Sequence, residues 1–386
     1  MQSDDLSRSL VAFEQDSTLV AVVELSLKSW LVAGLVPGLK RQPLKKLGAD
    51  KDVLVALLQR WRTEAIKAGH RIERIAVACE AGRDGFWLAR FLRDRGIEAY
   101  VIHSTSIPVP REHRRAKTDR LDTALLMRAF LGWLRGEPKH CSMVAIPSLA
   151  EEDAKRPSRE HEKLVGERSR IINKMKAALV RLGIHDFKVG QRKAAEHLER
   201  LRTAEELPIP PHTLAELRRD LARLALVKEQ IKDIEDSRQE RLKRTPQTGA
   251  HPMLRLLARL KGIGVESSDM LVHEILYRGL RDRRALARYA GLSGSPDESG
   301  SRRREKGLPR AGNGRVRKGM LQLAWRWLMF QKESALAQWF RERTAGARGD
   351  VRKTMIIALA RKLLIALWRY VSSGDLPAGA VLRQAT

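Results

Sequence analysis

Four acidic residues in the first third of the chain have the types and spacing of a metal site. Glu24 lies near the end of the apolar run TLVAVVEL and Glu80 ends the run IAVACE, while Asp119 and Asp122 are three residues apart in KTDRLDT. Residues three apart on a helix share a face, so both aspartates can point at one ion. Carboxylate oxygens suit Mg²⁺ or Mn²⁺, which stabilise the attacking and leaving oxygens in phosphoryl transfer. The pattern predicts a nuclease-like metal centre.

Taken one at a time, these acids also fit solvated or ion-paired surface positions, and that interpretation stays open. Glu24 differs because it interrupts an apolar strand, where a carboxylate without a partner is costly to bury. Cations surround the two aspartates and predict contacts with a phosphate backbone; they are Arg114, Arg115, Lys117 and Arg120.

A second candidate for chemistry lies in the Gly/Ser/Arg-rich stretch Gly291–Gly314. The segment from Arg281 to Lys318 holds 12 Lys or Arg against 4 Asp or Glu. Ser299 lies there before a glycine, and a serine among arginines can attack phosphorus while guanidinium groups stabilise the developing charge. The alternative is a flexible basic loop that only holds nucleic acid. The predicted nucleic-acid contacts are Arg302, Arg303, Arg304, Lys306, Arg315, Arg317 and Lys318.

The sequence LKGIG, Leu260–Gly264, predicts a helix–hairpin–helix element with a helix continuing through Leu271. Glycine amides in such a turn can approach a phosphate closely, which makes Lys261, Gly262 and Gly264 candidate contacts. A plain tight turn between helices is the competing interpretation.

The composition points to a nucleic-acid partner. The 386 residues carry 74 Lys and Arg against 46 Asp and Glu, a net charge of +28, and 43% are hydrophobic, enough for several cores. The most apolar stretches, Leu19–Leu39 and Met355–Trp368, are interrupted by charges, so no transmembrane helix is expected. The acidic N-terminus is unlike a signal peptide, which predicts a cytoplasmic, nucleoid-associated protein. Cys79 and Cys141 are expected to be ordinary reduced thiols.

Short apolar runs and amphipathic segments alternate in the first domain. Thr18–Leu25 and Trp30–Val36 predict a β-hairpin, and Asp50 is a possible N-cap for a helix ending at Ala68. Strands are predicted at Ile75–Cys79 and Ala99–His103, with helices at Phe86–Leu92 and Arg114–Leu131. This alternation predicts an α/β layer structure.

The rest of the chain is predicted to be mainly helical. Long charged helices are expected at Glu151–Leu182 and Leu214–Lys243, separated by Pro208–Pro211, so the simplest arrangement is an antiparallel helical hairpin. The second helix has a coiled-coil-like seam of Leu214, Leu217, Leu221, Leu224, Ile231 and Ile234. The hairpin is equally compatible with a spacer and with a dimerisation element. Leu254–Trp368 is again helical, broken only by the loop at Gly291–Gly314.

Several segments in this order resemble the DEDD-type insertion-sequence transposases of the IS110 family, which are related to the Piv-type DNA invertases. These segments are VVELSLKSWLVAGL, ACEAGRDGFWLARFL, KTDRLDT, LKGIG, LARYAGL, ESG and GNGRVRKGMLQLAW, and they run from about Leu19 to about Trp327.

The resemblance implies an RNase H-like (RuvC-like) DEDD catalytic domain at 17–147. It further implies a helical coiled-coil connection at 148–250 and a mainly helical C-terminal transposase domain at 251–372. The family's four metal-binding acids fall on Glu24, Glu80, Asp119 and Asp122, and its catalytic serine falls on Ser299. The family usually has Asp where this chain has Glu24, whose side chain is one methylene longer, so the metal geometry is expected to shift.

The resemblance also implies a reaction and partners. The expected reaction is metal-dependent cleavage and exchange of donor and target DNA strands through a serine–DNA phosphodiester. A structured noncoding guide RNA is expected as a partner, in a homodimer or tetramer with no membrane association. A Holliday-junction resolvase or DNA invertase using metal-activated water, and a non-catalytic nucleic-acid-binding protein, remain the alternatives.

Overall fold

A computed structural model of the chain describes residues 8–9, 11–82, 86–107, 119–137, 140–243, 251–278, 280, 282–294, 296–299, 302–305, 307–308, 311–346 and 349–383. Only the backbone is described for Thr105, Asp119, His251, Pro296–Ser299, Arg302–Glu305 and Asp350. The chain divides into two compact units, Met1–Glu152 and Asp153–Thr386.

The first unit is built on a five-stranded mixed sheet. Its strands are β1 (Thr18–Leu25), β2 (Ser29–Leu35), β3 (Leu44–Gly48), β4 (Arg74–Glu80) and β5 (Glu98–Ile102), in the spatial order β3-β2-β1-β4-β5. β1, β2 and β3 pair antiparallel, whereas β4 runs parallel to β1, and β5 runs parallel to β4. The predicted hairpin and the two predicted strands that follow it in the sequence are confirmed; β4 lies inside the sheet and β5 forms one edge.

Helices cover both faces of this sheet. On one face lie α1 (Lys51–Lys67) and α2 (Trp87–Arg93), and on the other lies α3 (Asp119–Leu134). The predicted N-cap is confirmed, because the Asp50 carboxylate accepts hydrogen bonds from the amides of Asp52 and Val53. Gly34 in β2 lets the Trp61 ring of α1 pack directly on the strand, since a Cβ at position 34 would lie 2.6 Å from that ring.

Strand β3 was not predicted, for a physical reason. Its sequence LKKLG is exposed along most of its length, so it lacks the apolar alternation that marks a half-buried strand. It pairs with β2 at the edge of the sheet, where lysines also discourage pairing with other chains.

A helical hairpin begins the second unit. After the short helix α4 (Leu149–Asp153), the long helices α5 (Arg156–Val180) and α7 (Pro211–Lys243) pack together, with α6 (Ala194–Arg200) between them in sequence. The two long helices are antiparallel, because Lys174 contacts Glu216 near the start of α7, while His161 contacts Glu235 near its end. The antiparallel hairpin is therefore confirmed.

The predicted seam of α7 is largely confirmed. Leu217, Leu224 and Ile231 are buried, and Leu214, Leu221 and Ile234 are half-buried. Val227, which was not in the predicted set, completes the buried stripe.

A second helical core follows in the same unit. It contains α8 (His251–Arg259), α9 (Val265–Leu271), a π-helical turn (Val272–Leu276), α10 (Arg283–Tyr289), α11 (Gly314–Phe330), α12 (Ala335–Thr344) and α13 (Gly349–Ser373). Among the described residues, no helix combines the length and apolarity needed to cross a membrane.

One element inside the predicted loop Gly291–Gly314 is a correction. Two short strands, β6 (Pro296–Ser299) and β7 (Arg302–Glu305), pair antiparallel there. Apolar periodicity cannot reveal a hairpin whose strands read PDES and RRRE, because these sequences contain no alternating apolar residues.

Candidate active site and nucleic-acid interface

Glu24 and Glu80 lie side by side at one edge of the sheet. β1 and β4 are parallel, and their last paired residues are Val23 and Cys79, so the glutamates are the next residues on neighbouring strands. Adjacent strands are about 4.8 Å apart. Both glutamates are half-buried, in contrast to the fully buried valines and alanines that precede them.

Both glutamates also lie on the face of the sheet that α3 covers. Side chains alternate along a strand, and Val20 and Val22 of β1 and Ala76 and Ala78 of β4 belong to the core beneath α3. Glu24 follows Val22 by two residues, and Glu80 follows Ala78 by two. The alternation therefore puts both carboxylates on the α3 side.

Helix α3 runs so that its first turn reaches the same edge. Near its other end, the Trp133 ring lies 4.9 Å from that of Tyr100, whose hydroxyl donates to Glu98, the first residue of β5. The C-terminal end of α3 thus covers the beginnings of the parallel strands. Its N-terminal turn, about 15 Å away along the helix, lies toward their ends.

Asp122 lies in that first turn. It precedes Leu126, which is buried against the sheet, by one helical turn, and it is half-buried. Neither the Glu80 nor the Asp122 side chain forms a hydrogen bond or ion pair with another described residue. Asp119 is the first residue of α3, with only its backbone described. Among the described side chains, no three of His, Cys, Asp and Glu are grouped closely enough to hold a metal ion.

The cations predicted around this helix are described only in part. Arg120 is exposed in the first turn of α3. Arg114, Arg115 and Lys117 lie outside the described residues.

The candidate nucleophile, Ser299, lies in the β6–β7 hairpin, whose backbone pairing is described. Ser299 ends β6 and pairs with Arg302, Glu298 pairs with Arg303, and Asp297 pairs with Arg304. Each arginine therefore has a serine or an acid as its backbone partner, and Ser299 lies at the turn end of the hairpin. Lys306 lies outside the described residues.

The predicted helix–hairpin–helix turn is confirmed as a turn between α8 and α9, packed against its own unit. Gly262 has φ +91°, and a Cβ there would lie 2.9 Å from the Cβ of Phe330. The Lys261 amide donates to the Val381 carbonyl at 3.0 Å, and the Lys261 carbonyl accepts from Gln331 at 2.8 Å. The Lys261 side chain is exposed, and Gly264 is the N-cap of α9.

The start of α11 holds three more of the predicted nucleic-acid contacts. The Asn313 side chain caps the helix. Arg315 and Lys318 both form ion pairs with Glu162 of α5, the latter at 2.9 Å. The Arg317 guanidinium lies 3.1 Å from the position of a Cβ on Gly291. Arg315 and Lys318 therefore also join α11 to the helical hairpin.

Glu274, in the π-helical turn, was missed by the sequence reasoning. Its side chain is 1% exposed and accepts hydrogen bonds from Arg159 at 2.8 and 3.1 Å and from the Asn313 amide at 3.1 Å. Burial alone would raise its pKa, but the bonds and charges of Arg159, Asn313 and Arg315 outweigh burial, so the pKa is lowered below 4.5. An acid in the apolar run MLVHEIL was the available signal.

Both cysteines are buried and reduced, as expected. Burial raises the pKa of the Cys141 thiol to about 12, so it stays protonated at neutral pH. Neither thiol lies among the candidate residues.

The chain is similar to transposases. The family model described as "Transposase IS116/IS110/IS902 family" matches residues 254–339, which contain the turn, the β6–β7 hairpin and the start of α11. The chain is 41% identical over 373 residues to the protein "Putative transposase y4rJ" of Sinorhizobium fredii (strain NBRC 101917 / NGR234), covering 94% of this chain and 93% of the relative. The chain belongs to the IS116/IS110/IS902 family of insertion-sequence transposases.

Proposed function

We propose that the protein is a metal-dependent DNA recombinase that cleaves and exchanges strands of donor and target DNA through a serine–DNA phosphodiester. The observation that carries the proposal is the adjacency of Glu24 and Glu80 at the ends of two parallel strands, on the face of the sheet that α3 covers. The strand order, with an antiparallel β1–β3 and parallel β4 and β5, supports an RNase H-like fold for this unit.

The donor set suits a hard divalent cation. Glu24, Glu80, Asp119 and Asp122 would hold Mg²⁺ or Mn²⁺, which supplies charge stabilisation at the phosphate and its oxygens when bound. Half-buried carboxylates at strand ends are accessible to an ion from solvent, and Glu80 and Asp122 are not paired to any described cation. The longer Glu24 side chain can reach an ion from a strand position that an aspartate would leave further away.

Metal binding can be measured without activity. In titrations of DNA-free protein with Mn²⁺, followed by its paramagnetic resonance signal, we expect Asp122→Asn to weaken binding by about 10-fold or more. Asp52→Asn, an exposed aspartate on α1, is the matched control and should bind as the wild type does. Equal Mn²⁺ binding by the Asp122 variant and the wild type would exclude this metal site.

Ser299 is proposed as the nucleophile. Its hydroxyl oxygen forms a bond to the DNA phosphorus, one bridging P–O bond to deoxyribose breaks, and the departing sugar oxygen takes up a proton while the serine proton is lost. The neighbouring arginines stabilise the charge on the phosphate oxygens during this exchange. The rejoining step reverses the same bonds with a different strand end, so no external energy source is needed.

A denaturing gel separates this reaction from metal-activated water. With DNA from the ends of the element, the wild type should form a covalent protein–DNA adduct, Ser299→Ala should form none, and Ser301→Ala should form it as the wild type does. If Ser299→Ala still cuts DNA while Asp122→Asn does not, the protein is a resolvase or invertase that uses water. If both variants cut normally, neither site is catalytic.

We also propose that a noncoding guide RNA, encoded beside the gene, selects the DNA. The net charge of +28 supports binding of both RNA and DNA. Protein expressed with its native flanking DNA should purify with one enriched flank transcript, identified by sequencing. Recovery of random cellular RNA alone would contradict guidance by RNA.

The working form is proposed to be a homodimer or tetramer. The candidate metal site lies in the first unit and Ser299 in the second, so a multimer can supply the two from different subunits. Mixing Asp122→Asn with Ser299→Ala protein should then restore adduct formation, and light scattering should give the mass of the active species. Failure of the mixture, when each variant mixed with wild type is active, would exclude shared sites.

A further inference from the structure

A cavity of about 600 Å³ lies in the second unit beside the base of the β6–β7 hairpin. Its walls come from the start of α10, from the two segments that flank the hairpin, and from the middle of α13. Cavities of 300 to about 1,000 Å³ are the size that holds a small organic group. This one is large enough for a nucleotide.

The walls of the cavity are mainly apolar. Leu292 is buried, and Leu308, Ile357 and Ile365 are half-buried around the space. Such walls favour a flat apolar group because its transfer from water is favourable in proportion to the area covered. A bare phosphate or a metal ion would gain nothing from them.

The rim of the cavity is cationic. Arg283 and Arg284 of α10 and Arg361 of α13 are exposed, and none of the three forms an ion pair with a carboxylate of a described residue. Lys362, also at the rim, lies 4.8 Å above the Trp339 ring. Among the residues that the structure describes, no acidic side chain lines the cavity. A ligand that suits both the walls and the rim is therefore an apolar group that carries an anion.

We propose that this cavity binds one unstacked nucleotide of a single DNA strand, with the base between the apolar walls and the flanking phosphates on the arginines. A base inside a duplex is covered by its stacked neighbours, so a strand that is opened or displaced is required. The choice of DNA rests on the proposed function. The cavity itself does not depend on the role of Ser299.

The position of the cavity gives this nucleotide a place in the reaction. Gly294 and Gly307 line the cavity, and they flank the β6–β7 hairpin in the sequence. Ser299 is the last residue of β6 in that hairpin. Gly294 and Ser299 are five positions apart in the sequence, so their Cα atoms can be at most about 17 Å apart. The bound nucleotide therefore lies within a few nucleotides of the phosphate that Ser299 is proposed to attack, and it anchors the strand there.

Binding is tested in the Ser299→Ala background with chelator present, so that cleavage does not interfere. The probe is a fluorescent single-stranded oligothymidine, compared by anisotropy with an abasic oligomer of equal length. We expect Ala358→Trp, which fills the cavity without changing charge, to weaken oligothymidine binding about tenfold and to leave abasic binding unchanged. Arg361→Ala should weaken binding of both, and Arg369→Ala, on the same helix outside the cavity, is the charge control.

Two results would overturn the proposal. One is equal loss of thymidine and abasic binding in Ala358→Trp, and the other is equal weakening by Arg361→Ala and Arg369→Ala. Tighter, cavity-dependent binding of oligouridine would reassign the site to RNA, and competition by an acidic peptide alone would reassign it to protein. The assay is separate from catalysis, so a failure of the serine mechanism leaves its outcome intact.

Ultraviolet crosslinking keeps the test valid if Ala358→Trp does not fold. Wild-type protein crosslinked to oligothymidine should yield modified peptides from 283–294 or 354–365, identified by mass spectrometry. Crosslinks found only outside both segments would contradict the proposal.

Discussion

Two sets of carboxylates, one in each unit, have opposite environments. In the second unit, Asp220, Asp269 and Glu274 are nearly fully buried, and each lies within ion-pair distance of an arginine, a lysine or both. In the first unit, Glu80 at the end of β4 and Asp122 in the first turn of α3 are half-buried, and neither side chain is paired with a described residue. Removing one partner of a buried ion pair leaves an uncompensated charge and destabilises the fold, whereas an accessible, unpaired carboxylate is available to a ligand.

The largest effect is expected from substitution of an accessible carboxylate. Glu80→Gln should reduce strand cleavage by about 100-fold or more, because a neutral amide is a poor ligand for the metal, while the free energy of unfolding changes by less than about 0.5 kcal/mol. Cleavage assays and urea denaturation measure the two quantities. Loss of activity accompanied by a comparable loss of stability would mean that Glu80 is structural.

Glu274 should behave in the opposite manner. Glu274→Ala removes the bidentate partner of Arg159 and the acceptor of the Asn313 amide. We expect the free energy of unfolding to fall by about 2–3 kcal/mol. The loss is smaller than for a fully buried pair because Arg159 is 44% exposed. Urea denaturation at neutral pH measures it, with Glu80→Ala as the matched control. If Glu274→Ala lowers the free energy of unfolding no more than Glu80→Ala does, the distinction between buried, paired carboxylates and accessible, unpaired ones is wrong.

A smaller effect of the other sign is expected at Arg238 and Asp269. Both side chains are 4% exposed with their charged atoms 3.5 Å apart, and Nε and Nη2 of Arg238 and Oδ2 of Asp269 have no hydrogen-bond partner among the described residues. The free-energy cost of removing these two charges from water is then poorly offset by their interaction. The double variant Arg238→Met, Asp269→Leu should be as stable as the wild type or up to about 1–2 kcal/mol more stable. Destabilisation by the double variant would show that the pair is stabilising.

The smallest effect is the pH dependence of His161. Hydrogen bonding to Glu266 raises its pKa above 6.5 although burial opposes this, and Glu235 adds to the rise while Arg238 opposes it. A raised pKa gives stability that is full below pH 6.5 and is lost as the pH rises through the folded pKa. The stability difference between wild type and His161→Gln should be below about 1 kcal/mol and fade at alkaline pH. A difference that grew with pH would have the wrong sign.

Elements with strong apolar periodicity were predictable, and polar ones were not. The runs TLVAVVEL and IAVAC and the amphipathic helix capped by Asp50 came directly from the sequence. Strand β3 and the β6–β7 hairpin were missed because their pairing depends on a neighbouring strand and not on an apolar face. The burial of Glu274 in the π-helical turn was not predictable either, because its partner Arg159 is 115 residues away in the chain.

The candidate site was predictable in its members but not in its arrangement. Acids that close apolar runs, such as Glu24 and Glu80, stand out because burying an unpaired charge is costly. Their adjacency required the parallel register of β1 and β4, and the approach of Asp122 required the direction in which α3 crosses the sheet. Similar reasoning did not distinguish Arg315 and Lys318, predicted as nucleic-acid contacts, from cations that pair with Glu162.

The sequence alone determined the charge, the alternating elements of the first unit, the helical character of the second and the membership of the candidate sites. These properties are local, since they follow from residue type and from periods of two and 3.6 residues. Only the tertiary structure decided which acids became buried partners of arginine and which remained accessible at a sheet edge. It also decided that α10, α13 and the base of the hairpin enclose a cavity, because such contacts join residues that are distant in the chain.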